Sequence, residues 1–233
     1  MTPVSAQENE RRAPLSRARI LQEALAVVDE EGLQALSMRR LGAQLGVEAM
    51  SLYRYVSGRE DLLEALVSHL TDGLRRTTET PVRVEDGWQA YIQWLAHEVR
   101  GVAHAHPQLF PLVATRHPAA PWLRPPLRSL EVVEDFLSAL TSYGFGDEAA
   151  AATYRTFCSF LVGHLLLEAS QMGASTVPGE PLDEGDADSR PALPLDGFPT
   201  ITRLEPLLSE DRSDEEFESS LEELVDRIER QLR

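Results

Sequence analysis

Residues 37–66 read SMRRLGAQLGVEAMSLYRYVSGREDLLEAL, and this stretch leaves the chain few ways to fold. Ser37 can cap a short helix that turns Met38, Leu41 and Leu45 inward, and Gly46 can end it in the left-handed region. A second helix over residues 48–56 has to begin almost at once, so the two must cross through a tight glycine turn. Ser57 with Glu60 three residues on reads as a capping box that opens another helix, burying Leu62, Leu63, Leu66, Leu70 and Leu74. Upstream, Ser16 caps a segment that places Ile20, Leu21, Ala24, Leu25 and Val28 on one face, and Gly32 stops it. The first 75 residues therefore read as four helices with very short turns.

The remainder keeps the helical period. Trp88, Tyr91, Ile92, Leu95, Val99 and Val102 form one apolar face that ends near Pro107, and QLFPLVATR gives a shorter segment. After the proline-rich HPAAPWLRPP, residues 127–143 are periodic up to Gly144. Residues 147–172 make the longest candidate, about 39 Å at 1.5 Å per residue. It is apolar nearly all round, with Tyr154, Phe157, Cys158, Phe160, Leu161 and Leu165 to Leu167, so it must be covered all round. The last helix begins at Ser213, with Ser213/Glu216 as its capping box, and lines up Phe217, Leu221, Leu224, Val225, Ile228 and Leu232. Strand signals are absent, and the fold class expected is all-α. The organisation expected is a helix-turn-helix domain over 1–75, with 1–14 flexible, then a larger helical domain over 76–233. Its Gly-, Pro- and acid-rich stretch 174–197 reads as a mobile loop.

Charge narrows the function. The chain of 233 residues has a net charge of −16, and all 22 of its basic side chains are arginine. Residues 1–75 hold 9 Arg and 11 acidic groups, whereas the rest hold 13 and 27. An acidic body repels nucleic-acid phosphate, so contact with DNA has to be made by the first part. There, residues 37–59 hold Arg39, Arg40, Arg54 and Arg59 against Glu48 alone. No run of eighteen apolar residues suggests a membrane span, and the first twenty residues lack the apolar middle of a secretion signal, so a cytoplasmic address is expected. A single cysteine, Cys158, excludes an intrachain disulfide. It reads as a small core residue, with a redox switch as the alternative.

Two short helices crossing at a glycine are what a helix-turn-helix needs, with Leu41, Leu45, Val47 and Leu52 packing between them. Ala49, Met50, Ser51, Tyr53, Arg54 and Tyr55 then lie on or near the outer side of the second helix, where a major groove is read. Ser37, Arg39 and Arg40 at the start of the preceding helix can reach a base edge or a phosphate. Arg59 can bind phosphate together with the unpaired N–H groups of its helix.

The stretch ILQEALAVVDEEGLQALSMRRLGAQLGVEAMSLYRYVSGREDLLEAL resembles the DNA-binding domain of the TetR (tetracycline repressor-like) family nearly position by position. The likeness rests on the EEG helix end, SMRRLGAQLGV, SLYRYV and REDLLEAL. Trp88, Thr115–Arg116, Gly144–Phe145, Gly163 and the final amphipathic helix resemble the tetracycline-repressor branch. That resemblance implies ten helices and a homodimer whose long eighth and last helices pair with their symmetry mates. The interface residues it implies are Tyr154, Phe157, Leu161, Leu165, Phe217, Leu221, Leu224 and Ile228; the alternative is that these faces close a core within one subunit. It also implies a pocket lined by Leu95, Val99, Thr115, Arg116, Phe136, Phe160 and His164. Arg116 would meet an acidic group of a ligand or bond helix-end carbonyls.

The implied effector is a mostly apolar organic molecule with one or two polar handles. Leu112 and Arg75 stand where tetracycline repressors place drug- and magnesium-contacting histidines, which disfavours a tetracycline–magnesium ligand. His97, His104 and His106 invite a metal reading, but residues two apart on a helix diverge, and a surface or capping role is expected. No catalytic residue, resident cofactor or metal site is expected: no Gly-rich phosphate loop, nucleophile motif or metal-ligand spacing occurs. The function expected is a repressor that binds a near-palindromic double-stranded operator as a homodimer, without a membrane, and is released by a small effector. An activator of the same fold, or a helical binding protein without DNA contact, are the alternatives.

Overall fold

The computed structural model describes residues 14–72, 74, 84–115, 117–174 and 197–232. Among them are ten α-helices and no strand. We number the helices α1 (Arg17–Glu31), α2 (Met38–Leu45), α3 (Ala49–Leu52), α4 (Arg59–Asp72), α5 (Gly87–Ala105), α6 (Phe110–Val113), α7 (Leu130–Ser142), α8 (Asp147–Gln171), α9 (Pro199–Leu208) and α10 (Ser213–Leu232). None is long and apolar enough to cross a membrane. The stretch expected to be a mobile loop lies outside the described residues except at its ends, as does the N-terminal segment.

Two apolar cores organise the chain. The first gathers Ile20, Ala24, Val27 and Val28 of α1, Leu41 and Leu45 of α2, Leu52, Val56, and Leu62, Leu63, Leu66, Val67 and Leu70 of α4. The second is built from α5, α7, α8 and α10 around Ile92, Phe136, Leu140, Phe157, Leu161, Leu165, Phe217, Leu221 and Ile228. Around α6 the chain serves both. Leu109 and Leu112 enter the first core, Phe110 enters the second, and Val113 packs against each. Consecutive residues of a helix point about 100° apart, so one short turn can face two cores at once.

Three sequence expectations change. The eight residues assigned to a subunit interface, Tyr154, Phe157, Leu161, Leu165, Phe217, Leu221, Leu224 and Ile228, are only 0–8% exposed within one subunit. α10 lies against α5 and α8, so these side chains contribute to the subunit's own core, the alternative named above. The capping boxes are also replaced. The N–H of Ser57 donates to the Asp61 carboxylate at 2.7 Å, leaving Glu60 free to meet Arg128. The Ser213 hydroxyl donates to Asp211 at 2.7 Å rather than serving Glu216. Finally, the helix expected over 48–56 is α-helical only at Ala49–Leu52, and turns at residues 53–55 carry the chain to Val56.

A buried ion cluster ties α5 to α8 and α10. Arg100 makes a bidentate contact with Glu168, its Nη2 standing 2.8 Å from Oε1, and also reaches Asp214 at 2.7 Å. The same guanidinium lies 4.5 Å from the centre of the Phe217 ring. His104 is 2.8 Å and His164 3.4 Å from the Glu168 carboxylate. Burial pushes the Glu168 carboxyl up, but the hydrogen bonds and charge of Arg100 and His104 outweigh it and leave it below its usual range. A depressed folded value makes this contribution complete above about pH 5 and lost as pH falls through that value. Arg100→Ala would strand the buried carboxylate and should lower the unfolding free energy by about 3 kcal/mol. Urea melts check this: the gap between variant and wild type should hold at neutral pH and narrow in acid, and a neutral-pH gap below about 1 kcal/mol contradicts it.

Candidate nucleic-acid interface and buried cavity

The crossing of α2 and α3 depends on two glycines. Gly46 takes φ 70° and its N–H returns to the carbonyls of Ala43 and Gly42, which ends α2. Gly42 is required for a different reason, one the sequence reading missed. A Cβ there would stand 2.9 Å from the Val47 carbonyl oxygen and 3.1 Å from the Ala49 nitrogen, so α3 can begin this close only over a bare Cα. The spacing of Gly42 and Gly46, one helical turn apart, was the available signal.

This crossing sets out the expected reading residues. Met50 is 73% exposed, Tyr53 47% and Tyr55 38%. Arg39 and Arg54 are exposed too, and Ala49 and Ser51 are half-buried. Leu52 on the opposite side is fully buried. A methionine and two tyrosines presented together are unusual for a solvated surface and suit contact with stacked bases and methyl groups.

The other candidates carry internal duties. The Ser37 hydroxyl caps α2 by accepting from the Arg40 N–H at 3.1 Å. Arg40 grips Glu31 through Nε and Nη2 and donates to Gln44 at 2.9 Å, so it joins the end of α1 to α2. The pairing holds the Glu31 carboxyl below its usual range. Arg59 donates to the carbonyls of Leu36 at 3.2 Å and Leu33 at 3.3 Å. Two of its five N–H groups are thus engaged. Arg17, absent from the expected set, donates to the Tyr55 carbonyl at 2.8 Å and pairs with Asp61 at 3.1 Å. It fastens the end of the α3 turn to α1 and α4, and the hydrogen bonds from Arg17 and Ser57 lower the Asp61 carboxyl.

The second region is a narrow cavity of about 50 Å³ inside the second core. Leu95, Val99 and Phe136 of the expected set line it, with Phe110, Val113, Leu127, Val133, Tyr154, Phe157 and Leu161. Phe136 and Phe157 stack there with ring centres 5.1 Å apart. Thr71 and Leu74, at the end of α4 and just beyond it, complete the wall. Phe160 and His164 do not line it; both turn toward Phe217, at 5.9 and 5.3 Å between ring centres. Their helical positions put them on the α10 side of α8, a distinction that apolar character alone does not reveal. The Thr115 hydroxyl donates to the Leu112 carbonyl at 2.7 Å, and Arg116 lies outside the described residues. Cys158 belongs to the wall, and burial pushes its thiol up to about 12, which leaves little thiolate for redox chemistry.

The histidines of α5 and its end separate. His97 meets Glu218 at 3.6 Å, His104 meets Glu168, and His106 meets Asp29 at 2.9 Å. Each faces a different carboxylate: His97 and His104 share a helix face but stand two turns apart, and His106 lies just past the helix end.

Residues 20–66 match the bacterial regulatory proteins of the tetR family, and residues 80–232 match the tetracyclin repressor-like C-terminal domain. The chain belongs to the TetR family. The HTH-type transcriptional repressor DrrR1 of Streptomyces coeruleorubidus is 32% identical over 150 residues, 64% of this chain and 52% of that relative. The chain thus spans about half the length of DrrR1. A possible TetR family transcriptional regulator from Streptomyces coelicolor A3(2) superposes with a TM-score of 0.69 at 31% identity, covering 94% of this chain and 100% of that one. ActR of Streptomyces coelicolor, solved in complex with actinorhodin, gives a TM-score of 0.63 at 26% identity over 93% and 96% of the two chains.

Gly42→Ala forces backbone against backbone at the heart of the TetR reading head. It should lower stability by about 1–3 kcal/mol and weaken DNA binding with it. Thermal melts and band-shift titrations measure both, and an unchanged melting point with unchanged binding would show that α2 and α3 can separate freely.

Proposed function

We propose that this TetR-family regulator is a repressor that binds a near-palindromic operator as a homodimer and is released by a small organic effector. The observation that carries the reading is the exposure of Met50 on α3 and of Tyr53, Arg54 and Tyr55 on the turns that follow it, while Arg17 and Arg40 hold the surrounding elements by internal bonds. The two cores support a reading head over 1–75 and a body over 76–233. In this reading Tyr53, Arg39 and Met50 meet base edges, Ala49 meets a thymine methyl, and Arg54 and the spare N–H groups of Arg59 meet phosphate.

A dimer is supported by apolar surface that one subunit leaves uncovered. α9 has no buried side chain, and Phe198, Ile201, Leu207 and Leu208 on or beside it are 47–69% exposed. Leu167 of α8 is 68% exposed, on the face turned away from the core. A helix that buries nothing gains little from folding alone, so a second copy is the natural cover. Two-fold symmetry then offers two α3 helices to successive major grooves about 34–36 Å apart.

Release is assigned to the cavity. Its walls are apolar, which suits a flat, mostly hydrocarbon effector, but 50 Å³ is far below the roughly 300–1,000 Å³ of an occupied small-molecule site. An effector must therefore push the walls apart, and α4 supplies one of them. The effector lowers operator affinity by as much as it prefers the expanded state.

Selecting duplexes from random DNA and then screening small molecules for release tests the whole reading. On the selected operator Tyr53→Ala should cost about tenfold or more in affinity, and much less on random duplex. Arg59→Ala should weaken both about equally and flatten the salt dependence. Equal losses for Tyr53→Ala on both duplexes would remove it from base reading, and a monomeric chain that ignores every duplex at low salt would end the proposal.

A further inference from the structure

We propose that Arg128 is the latch that makes α4 follow the cavity wall, an inference that rests on the effector reading above. Its neighbours on either side, Leu127 and Ser129, both line the cavity. Its own N–H donates at 3.0 Å to the carbonyl of Val113, another wall residue, so its backbone is part of the wall. Its side chain leaves that wall and crosses to α4. Nη2 stands 2.6 Å from Glu64 and 3.4 Å from Glu60, and Nη1 stands 3.4 Å from the Thr115 hydroxyl.

Three features separate this from an ordinary surface ion pair. Arg128 is only 8% exposed, while Glu64 and Glu60 open to solvent at 38% and 77%, so the guanidinium is the buried member of the pair. Its Nε is buried with no acceptor, so the site already lacks one hydrogen bond and has little slack. The acids it meets are one turn apart on α4, and α4 presents Leu62, Leu63, Leu66 and Val67 to the core of the reading head. Pulling the wall away from α4 would leave a buried guanidinium without a counter-charge, whereas moving the two together keeps the pair intact. The cheaper motion is the coupled one. An expanded cavity thus shifts residues 127–129, and the guanidinium carries the shift to the helix on which α2 and α3 rest.

The test swells the cavity without any effector. Val133 lines it and is nearly buried, so Val133→Phe pushes on the wall from within. Amide hydrogen exchange of the full chain is then compared in two backgrounds, wild type and Glu60→Gln/Glu64→Gln. With the latch intact, Val133→Phe should change exchange across residues 59–72 by about tenfold, a usual size for coupling between sites. In the Gln background the change at 59–72 should fall below about threefold while the change at 127–142 stays. A similar change at 59–72 in both backgrounds, or none in either, overturns the proposal. Should Val133→Phe not fold, Val133→Met makes the same comparison with a more adaptable side chain. The charge-exchanged pair Arg128→Glu/Glu64→Arg should restore part of the coupling, which a purely packing role would not. Operator affinity read in parallel keeps the two ideas apart: a chain that binds no duplex removes the regulator reading, while exchange still decides the latch.

Discussion

One helix packs into the first core and brings its end to the cavity of the second, and the rest of the molecule is arranged around that fact. α4 sinks Leu62, Leu63, Leu66, Val67 and Leu70 into the reading head, and at its far end Thr71 and the following Leu74 close the cavity of the body. Side chains packed at interior density cannot slide independently, so a displacement at one end of such a helix is felt at the other. α6 strengthens the constraint by sending Leu109 and Leu112 to one core and Phe110 to the other. Among the described residues, head and body share packing at α6 and at the end of α4.

That packing explains why the arginines of the first 75 residues have unequal roles. Arg17, Arg40 and Arg59 spend their N–H groups on Asp61, Glu31 and the carbonyls of Leu33 and Leu36. These bonds fix the ends of α1, α2, the α3 turn and α4 relative to one another. In the proposed reading, positive charge near DNA and rigid presentation of α3 come from the same side chains, because an exposed guanidinium has donors enough for both. The exposed Met50, Tyr53 and Tyr55 have no such internal duty.

Several helix boundaries were legible in the sequence because they carry a residue with a local reason to be there: Ser16 and Ser37 accept from N–H groups at helix starts, and Gly32, Gly46 and Gly144 have positive φ at helix ends. The cavity was half legible. Leu95, Val99 and Phe136 line it, but Phe160 and His164 face α10 instead, since a helix apolar all round does not declare which neighbour each face meets. The same ambiguity misdirected the interface residues. Apolar periodicity on α10 shows that something covers it, and α5 and α8 of the same chain do. Arg17 and Gly42 were missed because their partners lie across the fold, at Asp61 and at the Val47 carbonyl.

Losing those eight residues to the internal core moves the argument for a dimer without removing it. A subunit that had to expose Phe217 or Leu161 would owe its own stability to the partner, and head and body could not hold a fixed relation before pairing. Here the subunit closes its own core, and the apolar surface left outside on the body includes Leu167, Trp122 and the unburied apolar side of α9. An interface of that kind is thinner and lies away from the stacked Phe136 and Phe157 of the cavity wall. If an effector swells the cavity as proposed, the swelling has two places to go, toward α10 through α8 or toward α4. The first is braced by Arg100 on the buried Glu168, with Phe217 beneath it. The second is closed by Thr71 and Leu74, at the end of α4 and just beyond it. A wall yields where it is least braced, so the stiffness of the α5–α8–α10 cluster is what directs motion toward the reading head.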